Sequence, residues 1–154
     1  VLYSGTIGAA LEGALQGVTS IAFSQYLGPE SERMSNPFNP AIHNGLSVIH
    51  KILDKDKQTE GGYKVFYNVN FPPTEIIKGV AVVPQGLRPN TTFGVTPFNT
   101  HSGKKFLFIK GGNQHIKVTQ KSDVAANLSG YISLTPMRAD LTAIDRMADF
   151  EEDS

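Results

Sequence analysis

The residues best suited to chemistry stand at the start of the chain, in Tyr3-Ser4-Gly5-Thr6-Ile7-Gly8-Ala9-Ala10-Leu11-Glu12-Gly13. Ser4, Gly5 and Thr6 open a helical pattern, so their backbone N–H groups have no intrahelical acceptor, and two hydroxyls lie beside them. With the positive end of the helix dipole behind them, these groups suit an anion such as a phosphate. Ser24 closes the next apolar run, Ile21-Ala22-Phe23-Ser24, at the strand end where α/β sheets hold ligands. A serine there also serves as an ordinary loop hydrogen-bonder. Asn68 and Asn70 fall on one face of Lys64–Phe71, with Val65, Tyr67, Val69 and Phe71 on the other, and are expected to bond to adjacent loops.

The four histidines make a poor metal site. His43 and His50 are seven apart on a helical pattern, whereas helical metal pairs are usually spaced i, i+4. His101 and His115 have no carboxylates at ligand spacing and are read as surface residues. The chain has no cysteine, so disulfides and thiolate metal sites are excluded. Lys+Arg and Asp+Glu both number 14, so no global field recruits a nucleic-acid polymer or an anionic membrane. No apolar run approaches the ~20 residues of a membrane helix, and a cytoplasmic protein is expected. Asn90-Thr91-Thr92 and Asn127-Leu128-Ser129 match the glycosylation sequon, a triplet that arises often by chance.

The elements that must position these groups alternate in type. The pattern predicts a helix over Gly5–Gln16, capped by Ser4 and stopped by Gly17, with Ile7, Leu11 and Leu15 as its apolar stripe. Gly8 and Gly13 are expected to allow close packing. A strand follows over Val18–Ser24, then a polar loop at 25–37. A second helix spans Pro40–Lys55, with Asn39 as N-cap and Ile42, Leu46, Ile49 and Leu53 as its stripe. Strands are expected at Lys64–Phe71, Gly79–Pro84 and Tyr131–Thr135, the last ended by Pro136. Residues 85–102 read as irregular. Lys105–Lys110 and His115–Thr119 read as a hairpin around Gly111-Gly112-Asn113, too small to stand alone and so expected to pack on another chain. A final helical stretch runs from Ala143 to about Phe150.

Several of these stretches resemble the SurE family of stationary-phase survival nucleotidases. Tyr3–Gly13 is similar to its Y-S-G-T-V-x-A-A-x-E-G motif, Ile21–Ser24 to its I-A-x-S strand, and Asn68-Val69-Asn70-Phe71-Pro72 to its N-V-N-x-P, with Ile77-Lys78-Gly79 following. Ser122–Pro136 resembles T-D-x-x-A-x-x-x-G-Y-V-S-x-T-P. Met137 stands where the family usually has leucine, and residues 85–121 resemble the family only as an arm with a loop.

The resemblance implies a Rossmann-like three-layer α/β fold, here lacking its first strands, with an appended antiparallel hairpin arm. The expected organisation is 1–84 as the rear of the α/β domain, 85–121 as an oligomerisation arm, and 122–154 as a closing strand and helix, completing the fold or swapped to a partner. It implies a 5'-nucleotidase hydrolysing nucleoside monophosphates with Mg²⁺ or Mn²⁺, in homodimers or homotetramers. Ser4, Gly5 and Thr6 would then hold the substrate phosphate, with Ser24 at the edge of the site. The family's metal-binding motifs, N-D-D, a later serine and S-G-x-N-x-G, have no counterpart here and are expected in a segment before Val1. A hydroxide nucleophile needs that metal, so the chain by itself is expected to bind phosphate weakly and catalyse little. The alternatives are a non-catalytic α/β binding or oligomerisation module, or an unrelated anion-binding domain.

Overall fold

The protein was analysed as a computed structural model that describes residues 3–57, 62–87, 94–110, 116, 118 and 121–150. In chain order the elements are α1 (Gly5–Leu15), β1 (Ser20–Gln25), a 3-10 turn (Ser31–Arg33), α2 (Asn39–Leu53), β2 (Phe66–Phe71) and β3 (Val80–Val82). They continue with β4 (Gly94–Asn99), β5 (Lys105–Lys110), α3 (Asp123–Leu128), β6 (Ile132–Met137), α4 (Ile144–Met147) and a closing 3-10 turn (Ala148–Phe150).

Four strands form a mixed sheet in the order β1-β2-β6-β3. β1 and β2 are parallel, β6 runs antiparallel to β2, and β3 is parallel to β6. Because side chains alternate along a strand, the sheet has two distinct faces. On one, Val69, Phe71, Ile132 and Leu134 pack with Val48 and Ile52 of α2, and Phe23 meets Phe71 edge to face at 5.3 Å. On the other, Ala22 and Phe66 pack with Ile7, Ala10 and Ala14 of α1. The result is a helix–sheet–helix α/β arrangement whose sheet is mixed rather than wholly parallel.

α1 starts and stops where its residues dictate. Ser4 is extended at ψ 116° and its Oγ accepts from the Ile7 N–H at 3.3 Å. Gly17 has φ +81°, a conformation that favours glycine, and Val18 N–H turns back to the Gly13 carbonyl. Val18 thus belongs to the helix stop, and β1 begins at Ser20 rather than Val18. Gly13 does serve close packing, since a Cβ there would collide with Ser20 Oγ. Gly8 does not: a Cβ there would meet nothing within 4 Å.

Most of the expected stripe of α2 faces outward, with Ile49 alone half-buried. Ile42, Leu46 and Leu53 are exposed, whereas Pro40, Gly45, Val48 and Ile52 are buried. Small residues at the first turns let this helix lie close to the sheet, with Gly45 in contact range of Phe23. In α1 the expected stripe holds at Ile7, which is buried, and at Leu11, which packs on the same cluster, while Leu15 is exposed and Ala10 and Ala14 are buried. Asn39 is not the N-cap of α2: Phe38 holds that position, and the Asn39 amide donates to Glu75 Oε1 at 2.6 Å.

Pro136 does not end β6, which runs on to Met137. The Leu134 carbonyl accepts from Val83 N–H, so Leu134 and Pro136 both turn their backbone polar groups toward β3. β3 ends at Val82, opposite Leu134, so at Pro136 the missing N–H interrupts no ladder.

The hairpin also differs from expectation. β4 pairs antiparallel with β5, and the connection is Thr100–Lys104, with Gly103 at φ +77°. Residues 94–99 are therefore strand, and the turn lies before Lys105. The expected turn at 111–113 lies outside the described residues, as does most of the strand at 115–119. Every described side chain of its two strands is exposed, including Val95, Phe98, Phe106, Leu107, Phe108 and Ile109. No helix among the described residues is long and apolar enough to cross a membrane.

Candidate functional site

Two independent distances bring the helix start to the carboxyl end of β1. Gly13 abuts Ser20 at the beginning of the strand. From Gly13 back to Ser4 the helix rises about 13 Å. From Ser20 forward to Ser24 the strand advances about 13 Å. With α1 packed along β1 on one face, Ser4 and Ser24 come level at the same end of the sheet.

At that end the Ser4 hydroxyl has two roles available. Its oxygen accepts from Ile7 N–H, which leaves its proton free to donate outward. Gly5 and Thr6 are exposed, and a Cβ on Gly5 would meet nothing within 4 Å, so the helix start is open to a ligand. The N–H groups of Gly5 and Thr6 are of the kind that an α-helix leaves without an internal acceptor.

Ser24 is one residue inside the strand end, because β1 continues to Gln25. It is half-buried and stands in register with Asn70 on β2, which in turn stands opposite Ser133 on β6. Ser24, Asn70 and Ser133 thus form one polar row across three strands, on the face that carries α1. In the next row, Ala22 faces Asn68 and Asn68 faces Thr135.

These polar groups are mostly satisfied within the sheet. Asn70 Nδ2 donates to Asn68 Oδ1 at 3.2 Å, so the two asparagines bond to each other rather than to adjacent loops. Thr135 Oγ1 donates to the Val83 carbonyl at 2.9 Å. Asn127 of α3, 6% exposed, donates to the Asn70 carbonyl at 3.0 Å. The sequon at Asn127 is therefore a buried structural amide, while Asn90-Thr91-Thr92 lies outside the described residues. Ser133 Oγ is fully buried and has no partner among the described residues.

From sequence Asn127 stands out only as part of a sequon, and Ser133 and Thr135 carry no signal of their own. Their signal is the Ser122–Pro136 stretch itself. Ser122 Oγ caps α3 by accepting from Ala125 N–H, and Asp123 Oδ1 accepts from Gly86 N–H at 2.8 Å, tying α3 to the segment after β3.

The histidines do not converge. His43, His50 and His101 are exposed, and His115 lies outside the described residues. No group of three or more His, Cys, Asp or Glu among the described residues could hold a metal ion. The described residues therefore do not fit a divalent-metal centre, and the helix start presents hydroxyls and backbone N–H groups instead.

Comparison with known proteins places the chain in a family. The sequence model of the family described as survival protein SurE matches residues 1–92. The 5'-nucleotidase SurE of Cereibacter sphaeroides is 52% identical over 153 residues, covering 98% of this chain and 59% of the relative. That of Roseobacter denitrificans is 51% identical over 149 residues, covering 96% of this chain and 57% of the relative. The crystal structure of the SurE protein from Aquifex aeolicus superposes with a TM-score of 0.65 at 30% identity, covering 97% of this chain and 57% of that one. The chain thus spans under three fifths of the length of these relatives, and it belongs to the SurE family.

Proposed function

We propose that the chain carries the phosphate-binding half of a phosphatase that hydrolyses nucleoside monophosphates, in the manner of the 5'-nucleotidases it resembles. The observation that carries this is the open helix start Ser4-Gly5-Thr6 at the carboxyl end of β1, level with the half-buried Ser24. In this reading the N–H groups of Gly5 and Thr6 and the hydroxyls of Ser4 and Thr6 hold the non-reacting oxygens of the phosphate. Ser24 borders the site, and the dipole of α1 adds favourable charge. These groups bind and orient the phosphate; none of them activates water. A divalent ion, Mg²⁺ or Mn²⁺, would supply the hydroxide nucleophile when bound, through ligands other than these groups.

The exposed apolar hairpin β4–β5 supports a further part of this reading, assembly into homodimers or homotetramers through that arm. The same hairpin is what favours the second reading, a non-catalytic binding or oligomerisation module. The test is the family-length protein carrying Ser4→Ala or Thr6→Ala, assayed with nucleoside monophosphates and divalent metal. Each substitution removes one donor to the phosphate and should lower kcat/KM by about tenfold or more, with helicity retained by circular dichroism. Unchanged kcat/KM in Thr6→Ala, which leaves the helix cap intact, would overturn the assigned role. An absence of hydrolysis by the unmodified protein would favour the non-catalytic reading.

A further inference from the structure

The loop that leaves the carboxyl end of β1 forms an open, solvent-facing cavity of about 390 Å³, lined by Leu27, Gly28, Pro29, Ser31, Glu32 and Pro37. That volume lies in the range of small-molecule sites. The loop is held in place by its own hydrogen bonds. Tyr26 N–H donates to the Phe71 carbonyl at 2.9 Å, and Gln25 Nε2 donates to the Pro72 carbonyl at 3.0 Å. Ser31, 5% exposed, accepts from Gly28 N–H through its Oγ and donates its own N–H to the Gly28 carbonyl. The start of the loop is therefore tied to the end of β2, and the Gly28–Ser31 turn in the cavity wall is closed by its own two bonds.

Its lining sorts into two kinds. Leu27, Pro29 and Pro37 offer flat or aliphatic surface, suited to the face of a planar ring. Glu32 brings a carboxylate that is exposed and has no ion-pair partner among the described residues. An unpaired carboxylate accepts hydrogen bonds and cannot donate them, so it selects ligands whose edge carries N–H groups. Leu27 is three residues beyond Ser24, a chain separation of at most about 11 Å. That reach is comparable with the distance from phosphate to base in an extended nucleotide.

We propose that this cavity is the base subsite of the nucleotide whose phosphate sits at Ser4-Gly5-Thr6, and that Glu32 sets its preference for guanine. The inference rests on the phosphatase reading above for the identity of the ligand. Guanine presents a ring N–H and an exocyclic amine side by side, which a carboxylate accepts as two parallel hydrogen bonds. Adenine and cytosine present one exocyclic amine each. Uracil presents an N–H between two carbonyls, whose oxygens repel the carboxylate.

Two measurements on the family-length protein test this separately from the phosphatase reading. In the first, kcat/KM is compared for guanosine and uridine monophosphates in the unmodified protein and in Glu32→Gln. The ratio should favour guanosine by about tenfold and fall to within about twofold in the variant. A ratio that Glu32→Gln leaves untouched overturns the proposal.

In the second, guanosine, which has no phosphate, is titrated into ¹⁵N-labelled protein. The amides of Gly28, Ser31 and Glu32 should shift in the unmodified protein and stay still in Glu32→Gln. No shift in the unmodified protein overturns the base subsite, even if phosphatase activity is present. Shifts without any phosphatase activity leave the subsite standing and remove the reading of the phosphate cradle.

Discussion

On the face covered by α2, β2 and β6 present Val69, Phe71, Ile132 and Leu134. On the face covered by α1, the same two strands present Asn68, Asn70, Ser133 and Thr135. The strands and their neighbours are identical, and only the parity of the residue differs. The apolar face gains from close packing against Val48 and Ile52, and Val69 and Phe71 are completely buried there. The polar face has to match donors with acceptors, and it does so through the Asn68–Asn70 pair, Thr135 on Val83 and Asn127 on Asn70. Stability is thus concentrated on the face away from the helix start. The face beneath it carries polar groups that are largely paired with one another.

Truncation on the apolar face gives the largest expected effect. Phe71→Ala removes a ring with no exposure and its edge-to-face contact with Phe23, and should cost about 3–5 kcal/mol by urea denaturation. On the polar face, Asn127→Ala leaves the Asn70 carbonyl without its partner and should cost about 1–3 kcal/mol. If Asn127→Ala proved as costly as Phe71→Ala, the division of work between the faces would be wrong. Ser133→Ala should act in the opposite direction. It deletes a buried hydroxyl that has no partner among the described residues, and stability should rise by about 1 kcal/mol in the same titration. A loss from Ser133→Ala would show that the hydroxyl is held by a group the row of Ser24, Asn70 and Ser133 does not account for.

How much of this could be read from the sequence depended on whether a feature was local. The Ser4 cap, the Gly17 stop and the alternation of Asn68 and Asn70 against Val69 and Phe71 follow from neighbours a few residues away, and all are present. The helix stripes held at Ile7 and Leu11 and went wrong elsewhere for one physical reason. Periodicity selects the largest apolar side chains, Leu15, Ile42, Leu46 and Leu53, but a helix lies close to a sheet through its smallest ones. Here those are Ala10, Ala14, Ala41 and Gly45. Pro136 likewise reads as a strand stop until its N–H side is seen to face a position that β3 does not reach. Within the site, Ser4 and Ser24 were legible as chain signals. Asn127 and Ser133 were not, because their importance comes from strands and a helix more than fifty residues away from β2.

The smallest expected effect lies at the opposite edge of the α2 face, where Tyr67 OH donates to Asp56 Oδ1 at 2.6 Å and Thr19 donates to Asp56 Oδ2 at 2.9 Å. Burial, the hydrogen bond to Asp56 and the Asp56 charge together push the Tyr67 hydroxyl from its ordinary value of 10 up to about 12. Each cause favours the neutral phenol in the folded state. The folded protein therefore holds the proton more tightly than the unfolded chain, and stability falls as pH rises. The contribution is full below pH 10 and is lost between pH 10 and about pH 12. Tyr67→Phe removes the titrating group, so its stability should change less across that window than that of the unmodified protein, measured by denaturation at fixed pH steps. Asp56→Asn removes the charge and should bring the phenol absorbance transition of Tyr67 toward pH 10. A transition unmoved by Asp56→Asn would assign the shift to burial alone and would make Tyr67 part of the apolar face rather than a clasp at its margin.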